Sequence, residues 1–142
     1  MAMSSTLKDA AGAPSRAGVM SWTGRVMSGF VVLFLLMDAA MKLFAAPIVA
    51  ETGQALGWPA SSVLPLGLIV LGCAVLYAWP RTAILGAVLT TGLLGGAIAT
   101  HMRIGSPLFS HTLFGVYLGL LTWGGVYLRD ARLRAIFPLR RA

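Results

Sequence analysis

Four stretches of the chain are almost free of charge: roughly Trp22 to Ala45, Val63 to Trp79, Thr82 to Thr100 and His111 to Leu128. Each holds roughly 17 to 24 residues, and at about 1.5 Å of rise per residue an α-helix of some 20 residues crosses the ~30 Å hydrocarbon core of a bilayer. The pattern therefore predicts an all-α membrane protein built as a four-transmembrane-helix bundle. The second and third segments are joined only by Pro80, Arg81 and Thr82, a tight helical hairpin in which proline ends one helix and the arginine reaches the surface. The linker over 46–62, "PIVAETGQALGWPASS" after Ala46, carries Pro47, Gly53, Gly57, Trp58 and Pro59 and reads as an interfacial loop with a short amphipathic turn. Residues 1–21, rich in Ala, Gly and Ser, read as a mobile cytoplasmic tail. Residues 129–142 read as a basic cytoplasmic tail after a membrane domain over 22–128.

Composition supports lipid as the solvent. Hydrophobic residues make up 58% of the 142, charged residues 11%, and the mean hydropathy is +0.84. Eleven Lys and Arg and four Asp and Glu cannot keep that much apolar surface dispersed in water. The net charge of +7 would suggest nucleic acid in a soluble protein. Here the bases flank apolar segments, so membrane topology explains them and nucleic acid is not an expected partner. With both termini cytoplasmic, Lys8, Arg16, Arg25, Arg81, Arg129, Arg132, Arg134, Arg140 and Arg141 lie inside, and only Lys42 and Arg103 outside. That bias follows the positive-inside rule. Trp22, Trp79 and Trp123 at the inner boundary and Trp58 at the outer one suit the aromatic belts.

A cleaved signal peptide is a competing reading of the first segment, because Val26 to Met37 is apolar and Ala45 and Ala46 follow. The polar lead before Val26 is long for that, and Asp38 falls at the end of the apolar run. Cys73 is the one cysteine, so neither an internal disulfide nor a CxxC redox pair can form. Any electrons would have to reside on a bound cofactor or substrate.

Helices in lipid associate through small residues that let backbones approach. Gly92 and Gly96 have GxxxG spacing, with Gly86 and Thr90 on nearly the same face, and Gly115 and Gly119 repeat the spacing in the last segment. These faces are expected to pack the third and fourth helices as an antiparallel pair, and they also offer a route to a homo-oligomer.

Rise per residue gives depth. From Arg25 at the inner interface, Asp38 lies about 20 Å in and Lys42 about 26 Å at roughly 1.5 Å per residue. His101, Arg103, His111, Ser106, Ser110 and Glu51 fall near the same outer boundary. Six ionisable groups, Asp38, Lys42, Glu51, His101, Arg103 and His111, thus share one layer. Three readings compete for it. In the structural one, Lys42 at i+4 offsets the cost of a carboxylate in hydrocarbon, about 2.5 to 3.5 kcal/mol on insertion scales. In the functional one, Asp38 accepts a proton, a histidine donates one, and a lipid-soluble molecule such as a quinone binds. In the third, His101, His111 and a carboxylate hold a metal, or the histidines ligate haem. Two imidazoles ten residues apart match no ligand-spacing signature, so no metal site is expected.

"GRVMSGFVVLFLLMDAAMKL", with Asp38 and Lys42 as D-x-x-x-K, "ATHMRIGSPLFSH" (Ala99 to His111) and "YLRDARLRAIFPLR" (Tyr127 to Arg140) resemble the DoxX-like family of small four-helix bacterial membrane proteins over residues 24 to 141. The resemblance implies a four-transmembrane bundle in the plasma membrane. Its broader group includes membrane subunits of a thiosulfate:quinone oxidoreductase, proteins linked to redox complexes, and assembly factors for receptors. The first expectation is a module that binds a quinone or similar molecule, within a redox complex, through Asp38, Lys42, His101, Arg103 and His111. An accessory or assembly protein for membrane partners is the second, its basic tail meeting anionic lipid head groups. A proton-coupled small-molecule transporter using Asp38 is the third.

Overall fold

The structure is a computed structural model that describes residues 15–136. The expected N-terminal tail up to residue 14 and the end of the basic tail, 137–142, lie outside the described residues. The first helix, α1, runs Arg16–Leu43 and begins six residues earlier than the hydropathy pattern predicts. Its N-cap is Ser15, whose hydroxyl accepts the Gly18 amide at 3.2 Å, satisfying one of the free donors of the first turn. Buried positions Gly24, Ser28, Val31, Leu35 and Ala39 recur every three or four residues, a single stripe at helical period. The helix stops at Ala45, in the left-handed conformation at φ 52°. The Ala46 amide there bonds back to the Met41 carbonyl and the Ala45 amide to that of Lys42, the arrangement usually built on glycine. Pro47 follows and opens α2, Pro47–Ala55.

The expected interfacial loop is thus mostly helical: α2, a turn at Gly57 with φ 73°, and a 3₁₀ turn at Ala60–Ser62 leading into α3, Val63–Ala78. Trp79 to Thr82 form the predicted hairpin, locked by Thr82 Oγ1, which donates to the Leu76 carbonyl at 2.8 Å. α4, Ala83–Arg103, continues three residues past the expected end and carries His101 and Arg103 in its last turn. A π-helical turn at Leu108–Thr112 precedes α5, Phe114–Arg129. His111 therefore belongs to the turn and not to the last long helix. Asp130 caps the short α6, Ala131–Ile136, by accepting the Arg132 and Leu133 amides at 2.8 and 3.3 Å.

α1 packs on α3 and α5, and α4 packs on the same two helices from the other side. The four long helices form a closed ring, with α1 and α4 on one diagonal. Its core is thin: Val31, Leu35, Val70, Ala74, Tyr77, Ala87, Leu118 and Val126. Most large apolar side chains point outward, with Leu33 70%, Leu120 67% and Trp22 66% exposed. So continuous an apolar exterior far exceeds the patches a soluble monomer tolerates. Arg16–Leu43, Ala60–Ala78 and Ala83–Arg103 are long and apolar enough to cross a membrane. α5, with 16 residues, is shorter.

The helices approach closely at glycines other than the expected pair. A Cβ on Gly86 would lie 2.3 Å from the Tyr77 amide nitrogen, and one on Gly24 would lie 2.8 Å from the Gly125 carbonyl. Gly115 abuts Ile98 and Leu94 of α4, and Gly119 faces Leu94, so these two lie on the α4–α5 interface. Gly92 and Gly96 do not. Nothing lies within 4 Å of a Cβ added at either one, because the face of α4 that enters the bundle is set by Gly86, Ala87, Thr90 and Leu94.

Candidate functional site

At one end of the bundle stand Asp38, Lys42, His101, Arg103 and His111. Asp38 and Lys42 are joined by an ion pair one turn apart, the only ion pair among the described residues. Both side chains are partly buried, Lys42 at 16% and Asp38 at 28% exposed. The Lys42 stem lies against α3, its Cβ 3.0 Å from where a Cβ on Gly67 would sit. A partly buried pair of this kind keeps a carboxylate compensated in apolar surroundings.

The two histidines meet across the α4–α5 connection. Their ring centroids are 5.7 Å apart with the planes at 58°. His101 Nδ1 lies 3.0 Å from the Ser106 hydroxyl and His111 Nδ1 lies 2.7 Å from that of Ser110. Each ring thus has one nitrogen held by a serine from the connecting segment, and its Nε2 makes no hydrogen bond among the described residues. Thr112, buried in the π turn, reaches the Ser106 carbonyl at 3.5 Å and ties the turn to the same segment.

Arg103 points elsewhere. Its Nη2 donates to the Leu56 carbonyl at 2.7 Å and lies beside Gly57, strapping the end of α2 onto α4. Glu51 is exposed on α2. No hydrogen bond, ion pair or ring contact joins Asp38 or Lys42 to His101, Arg103 or His111 among the described residues. The expected layer is therefore two pairs and a strap. A ring contact fixes their common level: Phe34 of α1 and Phe114 of α5 meet at 5.2 Å between centroids. Asp38 is one turn beyond Phe34, and His111 precedes Phe114 by three residues on the antiparallel side. Among the described residues no group of three His, Cys, Asp or Glu could hold a metal ion.

The opposite end holds a buried polar network that depth counting missed. The Tyr77 hydroxyl of α3 donates to the Thr122 carbonyl of α5 at 2.8 Å and lies 3.1 Å from the Ser28 hydroxyl of α1. All three residues are buried. Arg129 caps the arrangement, its guanidinium 5.4 Å from the Tyr77 ring centroid and its Nη2 3.4 Å from the Tyr77 carbonyl. A signal existed in the sequence: Ser28, Tyr77 and Thr122 are polar residues inside apolar runs. Counting from Arg25, Arg81 and Arg129 puts them near the same end, but nothing in the pattern says that they meet.

Long helices that turn apolar residues outward and keep hydroxyls and charges in compensated clusters define an integral, multi-pass membrane protein. The chain belongs to the DoxX-like family, which it matches over residues 26–125, as the resemblance of its motifs implied. The match includes D-x-x-x-K and both histidines and stops short of the terminal basic stretch. No curated protein and no solved structure matches the chain.

Proposed function

We propose that this membrane protein binds a small lipid-soluble molecule with a quinone-like head group at the Asp38 and His101 end of the bundle. One observation carries the reading: the Asp38–Lys42 pair and the His101–His111 pair lie on the same side of the Phe34–Phe114 contact. A quinone head is a flat ring with carbonyl oxygens, suited to an aromatic neighbour and to donors such as Lys42 Nζ and an imidazole N–H. His101 and His111 each keep Nε2 available for such an oxygen or for a proton. In this reading Arg103 and Ser106 shape the site without touching the ligand. In this reading the chain sits in a bacterial plasma membrane with α5 and the preceding turn as the fourth span, and the positive-inside bias supports this end facing outside with both termini in the cytoplasm.

The test is titration of delipidated protein in mild detergent with a short-chain benzoquinone, followed by tryptophan fluorescence, alongside mass spectrometry of what co-purifies. Saturable binding is expected, with at least a tenfold loss of affinity in both His101→Ala and Asp38→Asn. Equal affinity in wild type and both variants, or no binding and no bound molecule, overturns the reading.

A second reading has its own observation. The GxxxG face at Gly92 and Gly96 is open, and small residues exposed on a membrane helix suit a helix from another subunit. An accessory or assembly role for membrane partners would use that face. Transport finds less support, since the Asp38 carboxylate is already held by Lys42.

A further inference from the structure

Next to the Tyr77 network, at the end opposite the quinone-type site, the surface of the bundle opens into a groove of about 450 Å³. Arg25 of α1 and Arg129 of α5 stand in its wall, with Ser28, Gly29, Val32 and Leu33 along α1. Among the described residues, nothing forms an ion pair with either cation. The ion pair of Asp38 and Lys42 is the only one among the described residues, and Asp130, the nearest acid in sequence to Arg129, is engaged with the amides that start α6. The Arg25 guanidinium makes no hydrogen bond to any described residue, and that of Arg129 uses only one nitrogen, on the Tyr77 carbonyl. A guanidinium carries five N–H donors. Two of them beside one groove, unpaired and at the boundary of an apolar exterior, call for an anion that also has an apolar body.

We propose that this groove seats an anionic phospholipid, its phosphate held between Arg25 and Arg129 and one acyl chain lying along Gly29, Val32 and Leu33. Arginine suits the phosphate because its planar fork presents paired donors to two oxygens. Gly29 suits the chain because it keeps the groove floor open, with nothing within 4 Å of a Cβ placed there. Tyr77 holds the Arg129 guanidinium in place through its ring and its carbonyl, so the buried network positions the lipid site without touching the lipid. The proposal does not depend on the quinone reading.

The experiment compares dissociation constants of detergent-purified full-length protein, by native mass spectrometry, for phosphatidylglycerol and phosphatidylcholine, with inorganic phosphate as a third arm. Wild type is expected to prefer phosphatidylglycerol at least fivefold. Arg25→Gln, which removes an exposed cation with no ion-pair partner among the described residues, abolishes that preference, and Gly29→Leu weakens both lipids by filling the groove. The double variant Arg140→Gln, Arg141→Gln retains the preference, which separates the groove from diffuse attraction by the basic tail. Preference unchanged in Arg25→Gln, or lost in the tail variant alone, overturns the proposal. So does phosphate competing as well as the lipid, which would mark a simple anion site.

Discussion

The Tyr77 phenol touches two other helices through a single oxygen, donating to the Thr122 carbonyl and meeting the Ser28 hydroxyl. In lipid such bonds contribute about 0.6 kcal/mol on average and up to about 1.7. Tyr77→Phe is expected to cost about 1 kcal/mol, read as a lowered thermal midpoint in detergent. Thr122→Val provides the control, because the Tyr77 bond goes to the Thr122 backbone, and its own hydroxyl bonds only to the Leu118 carbonyl one turn back. An equal loss in both variants would show that side-chain packing, and not the phenol bond, is what Tyr77 supplies. Legibility at this scale was partial. D-x-x-x-K can be read as an ion pair from spacing alone, since i and i+4 share a helical face. The Tyr77, Ser28 and Thr122 contact cannot, because it depends on how three separate helices are rotated.

Among the elements, α4 shows how composition and packing diverge. Its glycines look equivalent in sequence, yet Gly86 is pressed against the Tyr77 backbone and Gly92 and Gly96 are bare. Gly86→Leu is therefore expected to abolish the folded bundle, since a Cβ 2.3 Å from a backbone nitrogen cannot be accommodated by side-chain movement. Gly92→Leu and Gly96→Leu should leave the stability within about 0.5 kcal/mol of wild type, as surface changes do. If the open face binds another helix, the same two variants lose that association by at least tenfold in cross-linking within native membranes. A monomer fold that collapses in Gly92→Leu would contradict the packing described here. GxxxG spacing was visible in the sequence, but one helical face of α4 can meet either α3 and α5 or lipid. The face that turned inward is the one carrying Gly86 together with Ala87, Thr90 and Leu94.

For the molecule as a whole, the two ends differ in chemistry. One carries the paired charges and the tilted histidine pair, and the other carries Arg25 and Arg129, which have no ion pair among the described residues, around the Tyr77 network. The proposed orientation places the first end outside the cell. Cysteine reporters in a Cys73→Ser background test it: Glu51→Cys is expected to react with a membrane-impermeant maleimide in intact spheroplasts, and Arg132→Cys only after permeabilisation. The reverse labelling pattern would invert the topology and move the quinone-type site to the cytoplasmic side.

The sequence by itself determined the class of protein and the three long apolar helices, because apolar length against bilayer thickness is a one-dimensional property that needs no contacts. It also determined the level of Asp38, His101 and His111, since depth along a helix follows from counting residues. Only the tertiary structure decided which groups at one level meet: His101 with His111, Arg103 with the Leu56 carbonyl, and Tyr77 with Ser28 and Thr122. Those pairings depend on rotation of each helix about its own axis and on which helices are neighbours. Both are set by the close approaches at Gly24, Gly86 and Gly115, and none of that is carried by spacing along a single segment.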